Sequence, residues 1–280
     1  MSPAPATPQF LDDLVEAFAQ TAQAVIALGH GCGEQDLAQT TDCPGWTVHD
    51  QIAHVVGVEA WLEGHKDPRV DMPEYKHIRN ELGKKVEYAV EVRRGRTGAE
   101  VVAELEDVLA QRLSTLRDPA LTDSSVIAGP FGPDRAATVV LLRTFDVWTH
   151  EQDIRSALGR PGNLDSPAAS VFVSTVMLQL PRLIAKGAGL EPGHVVVIDV
   201  TGPTAARQGV LVEADEQGRP RGHAIPAGEA RPDGATTISL STEAFTRRAA
   251  GRRSVSDTAY SVEGDDAIAR RVLEALVVTH

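Results

Sequence analysis

The stretch Arg143-Thr144-Phe145-Asp146-Val147-Trp148-Thr149-His150-Glu151-Gln152-Asp153 constrains this chain more than any other. Read as a helix, positions 143, 146, 150 and 153 follow steps of three and four. Arg143, Asp146, His150 and Asp153 therefore share one line. Val140, Val147, Ile154 and Leu158 run beside that line, and Leu141, Phe145 and Trp148 cover the other side. A helix apolar around most of its circumference is a buried one. Its polar line then needs partners, because an unpaired buried polar group costs roughly 1–3 kcal/mol. Asp146 and His150, one turn apart, can both reach one metal ion. The same spacing also fits a buried Asp–His hydrogen bond or a partly solvated face.

The rest of the chain sets the frame for this helix. At 280 residues it can bury a sizeable core and is expected to make two domains. A hydrophobic share of 42% is ordinary for a globular chain. No apolar run is expected to be long enough for a bilayer. The opening residues 1–8 lack a charged start and an apolar core, so they read as a floppy lead-in and not a secretory signal. The chain is expected to be cytoplasmic, without a membrane partner. A net charge of −12 leaves no basic stripe for phosphates, which argues against nucleic acid. Cys32 and Cys43 are too few for a disulfide scaffold and are expected as reduced thiols. Cys43 precedes Pro44-Gly45-Trp46 before a helix and is a candidate reactive thiol.

Helical periodicity predicts helices over 9–30, 47–63, 74–94, 98–117, 134–158 and 166–186, the last interrupted near Pro181. Thr47 and Asp50 form a capping-box start. On the helix that follows, His54 shares a face with Val58 and Trp61 and points inward. A histidine in that setting is ordinarily a hydrogen-bonded core residue. His65 and His77 lie in a charged, turn-rich segment and read as solvated, and 118–133 reads as a loop. After Gly187-Ala188-Gly189 the texture changes, with strands predicted over 194–200, 209–214, 236–241 and 258–262. Short helices are predicted at 242–250 and 265–277. The expected class is α+β: a helical bundle over 1–187, then a small α/β domain over 188–280. One histidine from an early helix with an Asp-x-x-x-His pair from a later one is the pattern of a catalytic zinc site with an open position, provided the helices face each other.

Cys43-Pro44-Gly45-Trp46-Thr47-Val48-His49-Asp50-Gln51-Ile52-Ala53-His54, followed by Asp146-x-x-x-His150-x-x-Asp153, resembles the mycothiol-dependent maleylpyruvate isomerase family. The resemblance covers nearly the whole chain. It implies a DinB-like four-helix bundle followed by a sterol-carrier-like α/β domain. It implies His54, Asp146 and His150 as zinc ligands, with mycothiol as cosubstrate. The family isomerase carries a glutamate where this chain has Asp146, one methylene shorter, which bears on the geometry and the substrate. Asp153 matches an acidic active-site residue, expected to orient the thiol or move a proton. Arg252 is the best match for an arginine from the C-terminal domain that holds a substrate carboxylate, and Arg247 a weaker one. Arg143 lies on the active line as a partner for Asp146 or Asp153. The implied chemistry is addition of the thiolate to a cis double bond, rotation and elimination, or transfer of the thiol to a small electrophile. A hydrolase using zinc-bound water and a non-catalytic metal-binding or regulatory module are the competing expectations.

Overall fold

The computed structural model describes residues 6–226 and 234–279; residues 1–5 of the lead-in lie outside them. The chain divides into two compact units, Pro8–Gly162 and a second running from Asn163 onward.

The first unit contains α1 (Leu11–His30), a one-turn α2 (Glu34–Leu37), α3 (Val48–Leu62), α4 (Glu81–Arg94), α5 (Gly98–Leu116) and α6 (Ala136–Leu158). Helices α1, α3, α5 and α6 pack on one another as a four-helix bundle, and α4 lies on α3. Phe18, Ile52, Leu105, Trp148 and Ile154 fill the core. Helix α3 starts at the expected capping box: Thr47 Oγ1 accepts from the Asp50 amide, and Asp50 Oδ2 accepts from the Thr47 amide. Helix α6 ends at Gly159, whose φ of +61° closes the helix in the left-handed region. As expected for a helix apolar on most sides, α6 is buried all round over Val147–Ile154. The segment read as a loop over 118–133 departs from that reading. It opens a small hairpin that pairs β1 (Val126–Ile127) with β2 (Asp134–Arg135). Strands of two residues are too short to show alternation.

The second unit contains α7 (Pro167–Arg182), a π-helical turn (Leu183–Gly187), β3 (Val195–Thr201), β4 (Ala206–Ala214), β5 (Pro220–Ile225), β6 (Thr236–Ser241), α8 (Thr242–Ala249), β7 (Tyr260–Glu263) and α9 (Asp266–Ala275). The five-stranded sheet runs β5-β4-β3-β6-β7, with β3 and β6 parallel and the other neighbours antiparallel. Pro181 cannot donate to the helical ladder, and the widened turn follows it directly. Strand β5 escaped the sequence reading because it is an edge strand with Arg221 and His223 on it and little apolar alternation.

The division falls at 162/163, not at the expected 187/188. The reason is that α7 lays its apolar side on β4 and β5 and so belongs with the sheet. The same helix corrects the expectation about apolar runs. Pro167–Gly187 is long and apolar enough to cross a membrane, at a mean hydropathy of 1.5. In this fold 56% of its most apolar 18-residue window is buried as a core helix. Gly222 on β5 makes the close approach possible, because a Cβ there would fall on the Pro181 carbonyl oxygen. Gly222→Ala is expected to destabilise the second unit by about 1–3 kcal/mol. A urea melt checks this, and an unchanged midpoint would mean that α7 does not bear on β5.

Candidate metal centre

Helices α3 and α6 face each other across the bundle and bring His54, Asp146 and His150 together. One ligand atom from each lies within 4.8 Å of the others. His54 Nε2 is 3.1 Å from Asp146 Oδ2, and His150 Nε2 is 3.5 Å from Asp146 Oδ1. Bonds of about 2.1 Å at tetrahedral angles put ligand atoms about 3.4 Å apart, so these separations suit a zinc-sized ion. Two imidazoles and a carboxylate are also a donor set that such an ion accepts. The two histidines are buried, while the Asp146 side chain is 36% exposed, so the cluster opens on the Asp146 side.

The surroundings fix each side chain. Gln51, one turn before His54 on α3, places Oε1 2.5 Å from His150 Nδ1. The Gln51 amide nitrogen is committed to Thr41 Oγ1 at 2.7 Å. Nδ1 of His150 is therefore the donor, and Nε2 is left with its lone pair facing Asp146. Asp153 is fully buried and stands 3.6 Å from the same Nδ1. Arg143 reaches Asp146 Oδ2 with Nη1 and Glu59 Oε1 with Nε, both at 2.7 Å. His54 Nδ1 is buried without a hydrogen-bond partner, and packing holds that ring instead. The Trp46 ring lies 4.9 Å from the His54 ring and 5.7 Å from that of His150. Glu87 anchors Trp46 by accepting from its indole nitrogen at 2.8 Å. Gly45, with φ +84°, brings the loop so close to His77 that a Cβ there would meet its ring. His77 is not solvated as its charged neighbourhood suggested; it hydrogen-bonds the buried Glu87 at 2.7 Å.

Sequence reasoning thus placed His54, Arg143, Asp146, His150 and Asp153 in one cluster but missed Gln51, Glu59, Trp46 and Glu87. The one signal for Glu59 was an acid in the middle of an otherwise apolar helix. Arg252 sits in the second unit, half-buried, and donates to the Ala250 carbonyl at 3.1 Å. Arg247 of the same unit is buried on α8. Cys32 and Cys43 are not joined by a disulfide.

Charge is divided unequally between the two imidazoles. Burial and the neighbouring His150 push His54 down to about 4, against the pull of Asp146. Burial also opposes charge on His150, but Asp146 and Asp153 outweigh it and raise its pKa. Burial works against an ionised Asp146 too, and Arg143 with the two histidines overrides it, holding the carboxyl well below its usual range. The metal-free pair therefore takes one proton on His150 and resists a second. His54 is depressed in the folded state, so its contribution to stability is present above pH 6.5 and lost as pH falls through about 4. That loss amounts to about 3 kcal/mol at most. His150 has the opposite sign, contributing below its unfolded pKa and losing that as pH rises. Urea melts of the metal-free wild type at pH 7 and pH 4.5 are expected to differ more than those of His54→Gln. Equal differences would show that His54 protonates freely in the fold.

Residues 18–155 match the family model described as the mycothiol maleylpyruvate isomerase N-terminal domain. Among solved structures, a mycothiol-dependent maleylpyruvate isomerase matches with 18% identity and a TM-score of 0.52, over 90% of this chain and 92% of that one. A histidine-to-alanine mutant of such an isomerase matches with 16% identity and a TM-score of 0.52, over the same shares. At these identities the likeness establishes the fold. No curated protein matches the sequence. Residues 18–155, which hold every member of the candidate centre, form a domain of the mycothiol maleylpyruvate isomerase N-terminal domain family.

Proposed function

We propose that this chain is a metal- and mycothiol-dependent enzyme that turns a thiol against a small electrophile, by cis–trans isomerisation or by S-transfer. The observation that carries the reading is the convergence of His54, Asp146 and His150 on one point, with the Asp146 side open. The proposed ion is zinc, held by these three side chains. When bound, it supplies a double positive charge that favours the thiolate form of a thiol beside it.

The chain's own residues prepare that site. Gln51 engages Nδ1 of His150, so that Nε2 is the nitrogen that faces the ligand position and gives up the ring's extra proton when an ion binds. Asp153 supports the same ring from behind and favours its hydrogen-bonded orientation. Arg143 holds Asp146 through one oxygen and keeps the carboxylate ionised. Trp46 walls the two imidazoles and excludes water from that side. For isomerisation, the thiolate forms a C–S bond to one carbon of a cis double bond, and the π electron pair moves onto the substrate's conjugated carbonyl as an enolate. The resulting single bond rotates, and elimination returns both the thiolate and the double bond, now trans. Nothing is gained or lost over the cycle. For S-transfer the C–S bond remains, with a proton added to the neighbouring carbon or a leaving group expelled.

The test is turnover of maleylpyruvate and of other small cis-unsaturated acids by the zinc-loaded protein, with and without mycothiol. Turnover is expected only when both metal and mycothiol are present. Hydrolysis that proceeds without thiol would replace this reading with a zinc hydrolase. Metal binding without any thiol-dependent turnover would favour a binding module.

A further inference from the structure

Behind Asp146 the bundle buries more charge than three ligands require. Glu59, Arg112 and Arg143 are 0%, 2% and 3% exposed. Arg143 Nε donates to Glu59 Oε1 at 2.7 Å. On the other side, Arg112 Nε lies 3.3 Å from Glu59 Oε2, and its Nη1 donates to Glu63 at 2.9 Å. Helices α5, α3 and α6 thus supply one continuous line, Arg112–Glu59–Arg143–Asp146. Nη2 of each arginine is buried without a hydrogen-bond partner, so the line is not even fully satisfied. Desolvating such ions costs several kcal/mol each, and an apolar set of similar volume is often as stable or more so. Stability is therefore a weak reason for this arrangement. Its ends are informative: the line runs from Glu63, 10% exposed, through a dry interior to the more open Asp146 carboxylate, 36% exposed, of the candidate centre.

We propose that Glu59 and Arg112 are positioning residues of that centre: Arg112 holds Glu59, Glu59 holds Arg143, and Arg143 pins one oxygen of Asp146 so that the carboxylate faces both imidazoles. This rests on the reading that the triad holds a metal. A half-exposed aspartate left to itself samples several rotamers, and capturing it costs side-chain entropy at each binding event. Pinned, it is ready. Glu59 has a second effect. By sharing Arg143 it leaves the guanidinium a weaker competitor with a cation for Asp146. With glutamine at 59, the charge of Arg143 falls on Asp146 alone.

The test uses the full chain, titrated with zinc and, in parallel, with cobalt(II), whose visible spectrum reports ligand geometry. Glu59→Gln keeps the shape and removes the charge. It is expected to weaken metal binding about 10–100-fold, the range for loss of an outer partner, and to change the cobalt spectrum. A merely structural Glu59 would lower the melting temperature and leave both readouts alone well below it. Should E59Q fail to fold, the double variant Glu59→Gln with Arg112→Met carries the same test, because it removes both members of the buried pair. An affinity within about twofold of wild type, with an unaltered spectrum, overturns the inference. Wild type and His54→Ala are measured alongside. If wild type binds and His54→Ala does not, while E59Q behaves as wild type, only the positioning role fails. If wild type itself binds no metal, the reading of the site fails.

Discussion

His54→Ala and His150→Ala are each expected to take the protein from about one bound zinc per chain to near none, on the logic of a three-ligand site. The affinity loss should exceed the roughly 10–100-fold that an outer partner commands, because a ligand itself is gone. Two readouts follow the change. Metal content of dialysed protein gives the stoichiometry. Thermal melts give the linkage: at free zinc about 1,000-fold above its dissociation constant, wild type gains about 4 kcal/mol, and the variants gain almost nothing. The apolar core of Phe18, Leu105 and Ile154 is untouched by either change, so the variants should still fold. A variant that retains both its zinc and its zinc-dependent stabilisation would place the ion elsewhere.

Arg143→Leu is expected to be the most destabilising change near the centre, by about 3–5 kcal/mol. The loss arises from what it strands. Glu59 is 0% exposed and loses its shortest partner, keeping only Arg112 at 3.3 Å. Asp146, by contrast, is part-exposed and can turn to water. Arg143→Lys keeps the charge but not the fork that spans two carboxylates, so it should fall between wild type and leucine. Urea denaturation at pH 7 measures the series. A loss below about 1 kcal/mol for leucine would mean that the ion pairs behave as solvated surface pairs.

How much of this could be read from residues alone varies by element. The line Arg143, Asp146, His150 and Asp153 was legible because a helix fixes which residues share a face, and the burial of α6 was legible from the apolar sides made by Val140, Val147, Trp148 and Ile154. Capping by Thr47 and Asp50 and the stop at Gly159 were legible for the same reason: the chemistry is local. What crosses between helices was not. Gln51 reaches His150 over 99 residues of sequence, and Arg143 reaches Glu59 over 84. Pairings of that kind depend on helix rotation and spacing, which no local pattern encodes. His77 was misread as solvated because its neighbours in sequence are charged, while its partner Glu87 lies a loop and a helical turn away. The unit boundary was misplaced because α7 is as apolar as a bundle helix, and only the sheet beneath it tells where it belongs.

The most direct measurement is diffraction from zinc-loaded crystals on both sides of the zinc absorption edge. The account predicts one anomalous peak bonded to His54 Nε2, a carboxylate oxygen of Asp146 and His150 Nε2, with a fourth position unfilled by protein. A peak away from these three side chains, no peak at full zinc loading, or a fourth protein ligand closing the ion would contradict it.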